Sequence, residues 1–269
     1  MTNENERRKI QSVERSGEIL DAIRTLRGAT VTEIADHTGL TPGTVHTHLA
    51  TLRDRRFVRK EGGTYDLGYQ FVVLGEYVRN RDRLHRYGRE VADDLADETG
   101  EVVHLVTEDD GMEVILYEAF GRNAVGTDFY IRNREFMTRH LHYSAAGKAI
   151  LAYLPRDRVV EIVDRHGLDQ RTDRTIDDLE TLLDDVDRTR ERGFARNDEE
   201  GVRNVRAVGA PVLDDADDPI GAISLSAPTS RLRGDAFEEA MPARVVEAAN
   251  VIEVEIQTGD IERTHLGST

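Results

Sequence analysis

Residues 31–58, VTEIADHTGLTPGTVHTHLATLRDRRFV, constrain the fold of this chain more than any other stretch. Val31, Ile34 and Ala35 are spaced to bury one side of a first helix, and Gly39 suits the left-handed residue that ends it. Thr41-Pro42 reads as an N-cap followed by proline at the first helical position. Val45, Leu49 and Leu52 recur at i, i+4 and i+7 and define the apolar face of a second helix. The opposite face carries Gly43, Thr44, Thr47, Ala50 and Thr51, with His46 and His48 at its shoulders. Such a face, small and rich in hydrogen-bonding groups, suits a helix entering a DNA major groove. Phe57-Val58-Arg59, the turn Glu61-Gly62-Gly63 and Thr64-Tyr65-Asp66-Leu67 then predict a strand–turn–strand wing, with Arg59 and Lys60 near its tip. The competing reading is a helical hairpin inside an all-α core. Against it, the solvated face of a helix in so acidic a chain is expected to carry Asp and Glu, and this one does not.

Charge supports the same reading. The 269 residues carry a net −16, yet residues 1–60 hold eleven basic and eight acidic groups, a net +3 that leaves −19 for the remainder. A phosphate-facing surface needs such local relief from acidity. Of the 36 basic residues only Lys9, Lys60 and Lys148 are lysine, and acidic runs such as Asp214-Asp215-Ala216-Asp217-Asp218 recur. This composition resembles that of proteins from cells with molar internal salt, where the screening length falls to about 3 Å. Cysteine is absent, which excludes disulfides, thiolate nucleophiles and Cys-based metal sites. No apolar run reaches the ~18 residues of a membrane span. The N-terminus lacks an apolar signal core. A cytoplasmic protein is the expectation.

In chain order, a helix from Ser12 with Val13, Ile19, Leu20 and Ile23 on its buried side precedes the two helices above. After the wing, Phe71, Leu74 and Val78 predict a connector helix over 70–82, with no Pro-rich break behind it. From residue 84 a helix with Tyr87, Val91 and Leu95 leads into a hairpin, Val102–Val106 and Val114–Tyr117. A strand is expected at 127–131, and helices at 144–153, 155–166 and 176–192. A second hairpin, Ala207–Leu213 with Ile220–Ala227, precedes a closing helix over 235–257. The fold class is α+β. It comprises a winged helix-turn-helix (1–68), a linker helix (69–83) and a C-terminal domain with an antiparallel sheet flanked by helices (84–269).

SVERSGEIL, the helix-turn-helix, YDLG after the wing, HYSAAGKAILAYLP, RERGFARNDEE, APV and GAISLSAPTSR follow one another in an order that resembles the IclR family of transcriptional regulators, from about Ser12 to Ile256. The acidic composition makes the chain look like a haloarchaeal member. The resemblance implies a dimerising linker helix and a GAF/PAS-like domain that binds a small metabolite effector. It also implies a homodimer or a dimer of dimers on a double-stranded DNA operator. Thr44, His46, Thr47 and His48 are expected to set sequence preference and Arg55, Arg56, Arg59 and Lys60 to supply mainly phosphate contacts, with Thr41, Gly43 and Arg53 completing the expected DNA-binding set. Thr47 stands where many members have arginine. The effector-facing positions carried over are Ala145, Ala146, Gly147, Asn197, Val202, Asn204, Ser224 and Ser226.

Taken with the resemblance, the residues of this region point to an anion. Ser144-Ala145-Ala146-Gly147 opens a helix with almost no side-chain bulk, so a carboxylate can approach its amides; tight packing on the sheet explains the same residues. Ser224 and Ser226 alternate on one strand face. A small organic acid is the expected effector, with no cofactor, metal or catalytic residue. The enzyme alternative rests on His104, His140 and His142 with nearby Glu residues, and on Asp198-Glu199-Glu200 as an acid/base pair. No HExxH, G-x-S-x-G or P-loop accompanies them.

Overall fold

In a computed structural model the described residues are 9–125 and 138–266. The chain divides into two compact units, Met1–Val78 and Arg79–Thr269. The strand expected at 127–131 lies outside the described residues.

The first unit is a winged helix-turn-helix. Helices α1 (Gln11–Leu26), α2 (Val31–Thr38) and α3 (Pro42–Asp54) precede the antiparallel pair β1 (Val58–Glu61) and β2 (Thr64–Leu67). Local chemistry fixes the turns. Thr30 and Glu33 form a capping box at the start of α2. Gly39 ends α2 at φ 71°, and Thr41 caps α3 with Pro42 in its first turn. Ile19, Ile23, Ile34, Val45, Leu49 and Val58 close one small core. Val13, expected on the buried side of α1, is 65% exposed instead; the first residue of α1 in that core is Ile19, six positions later.

Helix α4 (Gln70–Arg81) follows the wing, and Asp82 caps α5 (Arg83–Thr99) through the His85 amide. The connector helix expected over 70–82 is present, and none of its residues is buried. Phe71, Val72, Val73, Leu74 and Val78 are all exposed.

The second unit is built on a six-stranded antiparallel sheet in the order β5-β4-β3-β8-β7-β6. Its strands are β3 (Val102–Asp109), β4 (Met112–Phe120), β5 (Thr138–His140), β6 (Ala195–Asp198), β7 (Val205–Leu213) and β8 (Pro219–Pro228). Both expected hairpins, β3–β4 and β7–β8, are present. Strand alternation divides the sheet into two faces. Val103, Leu105, Val208, Ala210, Ile223 and Leu225 share a core with α5 and with the closing helix α9 (Met241–Leu266). On the other face Val106 and Ala222 pack with α6 (Ala145–Leu151), α7 (Arg156–His166) and α8 (Leu179–Arg192). Gly209 on β7 makes the approach of α6 possible: a Cβ there would lie 2.7 Å from the carbonyl group of Ala145 and 2.9 Å from the Ala146 nitrogen. The bulk-free SAAG turn is therefore a packing device as well as a pocket wall. Among the described residues no helix is long and apolar enough to cross a membrane.

Candidate nucleic-acid interface and effector cleft

On α3, Gly43, His46, Thr47 and Thr51 are exposed and Thr44 is half-buried. The Thr41 hydroxyl accepts the Thr44 amide at 3.2 Å, so Thr41 builds the helix start. The Thr47 hydroxyl donates to the Gly43 carbonyl at 3.0 Å, and that of Thr51 to the Thr47 carbonyl at 3.3 Å. Both threonines thus offer outward methyl groups and acceptor lone pairs, which suit a thymine methyl or the exocyclic amines of cytosine and adenine. His48 departs from the expected arrangement. Its Nδ1 lies 2.9 Å from the Ser16 hydroxyl on α1, which ties the ring to the helix bundle.

The basic residues also divide. Arg53, Arg55 and Arg56 are exposed and make no ion pair among the described residues. Arg59, by contrast, donates to Asp66 across the wing at 2.7 Å, and its guanidinium lies 5.2 Å from the Tyr69 ring centroid. Lys60 lies over Tyr65. The phosphate-ready charge is therefore concentrated at the C-terminal end of α3.

In the second unit, cross-strand register assembles a polar cleft on the α6 face. One row runs Glu118, His104, Ser224, Gly209, Ala195; the next runs Phe120, Val102, Ser226, Ala207, Asn197. Between these rows and the start of α6 opens a cleft of about 560 Å³ counting the open solvent at its mouth. Ser224 is 5% exposed and Ser226 half-buried, and neither hydroxyl has a partner among the described residues. Arg139 is the permanent cation of the lining and likewise makes no ion pair among the described residues. The imidazole of His104 sits 3.5 Å from the Glu118 carboxylate, both buried.

Ala145, Ala146, Asn197, Val202, Ser224 and Ser226 all line this cleft. Gly147 and Asn204 do not. Gly147 packs under the preceding 3₁₀ turn, where a Cβ would meet the Leu141 carbonyl oxygen at 2.2 Å. Asn204 is exposed in a left-handed conformation (φ 61°) and donates its amide to Glu199. Asn197 lines the wall, but its side chain is already engaged: it donates to the Tyr143 carbonyl and accepts the Glu200 amide at 3.1 Å. Nor is the start of α6 wholly open, because the Ser144 hydroxyl accepts the Gly147 amide at 2.8 Å. The sequence reading missed Glu113, Arg139, Tyr143 and Gly201, which also line the cleft. An arginine three residues before HYSAAG was the one signal available.

Of the histidines weighed as metal ligands, His104 lines the cleft, and His140 and His142 lie outside it. His140, His142 and His166 stack edge to face. Their ring nitrogens meet the carbonyls of Gly167, Asp169 and Asp110 at 3.4, 3.2 and 2.7 Å. Burial pushes His142 down to about 4, so it is neutral at physiological pH.

Comparison with known proteins settles the family. The description "IclR helix-turn-helix domain" matches residues 12–62, and "Bacterial transcriptional regulator IclR C-terminal" matches residues 76–254. The chain belongs to the IclR family. It is 42% identical to the probable HTH-type transcriptional regulator ArcR of Halobacterium salinarum, over 95% of this chain and 97% of that protein. It is 30% identical to the transcriptional repressor IclR of Escherichia coli, over 91% and 89%. The crystal structure of the Thermotoga maritima IclR superposes with a TM-score of 0.71 at 25% identity, covering 92% and 99%. The protein is thus a DNA-binding transcriptional regulator with an effector-binding C-terminal domain. Its acidic, lysine-poor composition and its Halobacterium relative both mark it as halophilic.

In this IclR-family chain the lysine of SAAGKA is buried. Lys148 is 2% exposed; its ammonium donates to both Glu200 oxygens at 2.7 and 2.9 Å and lies 2.9 Å from Asp185. The contact ties α6 to α8 and to the segment that delivers Gly201 and Val202 to the cleft. Burial raises the Glu200 carboxyl above its ordinary value, with Lys148 opposing. Between that raised value and about 4.5, the folded chain holds more protons on Glu200 than the unfolded chain does. Glu200 therefore adds stability as pH falls through this window. Urea unfolding at fixed KCl should show this gain in wild type and a flatter profile in Glu200→Gln. Identical profiles would remove Glu200 as the cause.

Proposed function

We propose that this regulator reads its operator with the exposed face of α3, and that a small organic acid bound in the cleft sets operator affinity. The observation that carries the effector reading is the cleft itself, which is lined by the unpartnered Ser224 and Ser226 hydroxyls and by the Arg139 guanidinium. A carboxylate meets the guanidinium with charge-assisted hydrogen bonds, and the serine hydroxyls bind the rest of the acid. Thermal-shift measurements at molar KCl against a panel of small acids test it; unchanged melting with every acid would count against the reading.

We assign the linker at residues 69–83 to dimerisation. The apolar side chains of Phe71, Val72, Val73, Leu74 and Val78 are exposed on a single chain, and a second copy would cover them. The functional state in the cytosol is then a homodimer or a dimer of dimers, and a two-fold protein reads a palindromic or pseudo-palindromic site.

Within the DNA interface we separate two roles. Thr44, His46 and Thr47 set sequence preference, whereas Arg53, Arg55 and Arg56 meet phosphates. At molar salt counterion release contributes little, so base contacts and shape carry more of the affinity. Thr47→Ala is expected to reorder a panel of operator variants, with about 1–3 kcal/mol lost at the base it reads. Arg55→Ala should weaken all sequences alike and reduce the salt slope by about one. An unchanged ranking for Thr47→Ala in fluorescence anisotropy would defeat the division.

A further inference from the structure

The cleft holds a negative charge as well as a positive one. Glu113 on β4 is 2% exposed and lines it; its register partner on β5 is Arg139, which lines it too. Residues directly opposite on antiparallel strands present their side chains to the same side, and opposite charges there normally pair. No such pair forms. The Glu113 carboxylate instead accepts the Ser144 hydroxyl through Oε2, and its Oε1 has no donor among the described residues. Arg139 is likewise left without a carboxylate. The lining thus presents one cation and one acceptor-only oxygen that are not neutralised by each other.

A ligand must answer both. A bare alkanoate or keto acid satisfies Arg139 but offers no donor to Glu113 and adds negative charge near it, which costs free energy in a partly desolvated site. On the reading that the cleft is the effector site, we infer that its ligand is a hydroxy carboxylate. The carboxylate is held by Arg139, and a hydroxyl donates to Oε1 of Glu113. The neutral hydroxyls of Ser224 and Ser226 on β8, two strands from β4, extend the match to an acid with more than one hydroxyl group, the sugar-acid type. A hydroxyl is also the donor that costs less to desolvate in a partly buried site than an ammonium.

Isothermal titration calorimetry on the full chain in molar KCl compares glycerate and gluconate with propionate, pyruvate and alanine. The hydroxylated acids are expected to bind wild type about tenfold or more tighter than propionate and pyruvate. Arg139→Leu should lose at least about tenfold for every acid that binds. Glu113→Gln should narrow the preference, chiefly because propionate then binds better. The wild-type comparison stands by itself if either variant fails to fold. Propionate or pyruvate equal to gluconate overturns the hydroxyl assignment and leaves the cleft an acid site. Alanine tighter than glycerate overturns it in favour of an ammonium donor. Heat from none of the acids overturns both this inference and the proposed effector class.

Discussion

Lys148→Met is expected to cost about 3–5 kcal/mol of folding stability, the usual result of removing one partner from a buried ion pair. The reason is charge balance rather than volume. Methionine fills nearly the same space, but the Glu200 and Asp185 carboxylates stay where they are, with side-chain exposures of 10% and 14%. In wild type one ammonium serves both, and Glu200 is further held by the Asp198 amide at 3.4 Å. Without Lys148, two carboxylates face each other, and the exposed Arg188, 3.6 Å from Asp185, is a weak substitute for the buried ammonium. Urea unfolding at constant molar KCl measures the loss. Surface pairs such as Arg165 with Asp110 and Arg156 with Asp187 provide the contrast, since exposed pairs contribute roughly 0–1 kcal/mol and less at high salt. If Lys148→Met and Arg156→Ala lose the same small amount, the buried triad is not what holds α6 to its neighbours. The triple variant Lys148→Met, Glu200→Gln, Asp185→Asn should recover much of the loss, because it removes the stranded charges.

The parts of this molecule that were legible in its sequence are those fixed by near neighbours. Thr41-Pro42 and Gly39 act through caps and φ preferences spanning a few residues, and both appear as expected. The β3–β4 and β7–β8 hairpins were legible because alternation and a polar turn sit together. The pairing of Glu113 with Arg139 was not, since it depends on the register between strands 26 positions apart. The same holds for Lys148. Nothing in SAAGKA says that its lysine points inward; the carboxylates that permit it come from residues 185 and 200. The Ser16 contact of His48 was not legible for a related reason: its wheel position is intermediate, and the hydroxyl that ties the ring lies 32 residues earlier. Gly147 and Asn204 were carried over with their neighbours, but a close approach to Leu141 and a left-handed backbone give each a structural role outside the cleft.

Ala146→Leu is expected to abolish the response to effector. Ala146 is 2% exposed, lines the cleft and lies in the first turn of α6, where Gly209 brings the sheet against the helix. Three added carbon atoms can go only into the cleft or into the packed helix–sheet contact. The first course fills the ligand space; the second costs about 1–3 kcal/mol of overpacking. Far-UV circular dichroism and melting without acid distinguish the two. An effector changes operator affinity only through its differential affinity for the two DNA-binding states, and couplings of about 1–3 kcal/mol correspond to roughly 5–150-fold. Wild type should therefore shift its operator affinity within that range when saturated with the acid that stabilises it most, and Ala146→Leu should show no shift at any concentration. Ser226→Ala makes the finer comparison. It removes one hydroxyl without filling space, so the acid should bind about 2–10-fold more weakly, while saturation restores the full shift in operator affinity. Equal stabilisation of wild type and Ala146→Leu by the same acid would place the effector outside this cleft. A full response in Ala146→Leu with weakened binding would instead mean that the leucine packs against the sheet and leaves the ligand space open.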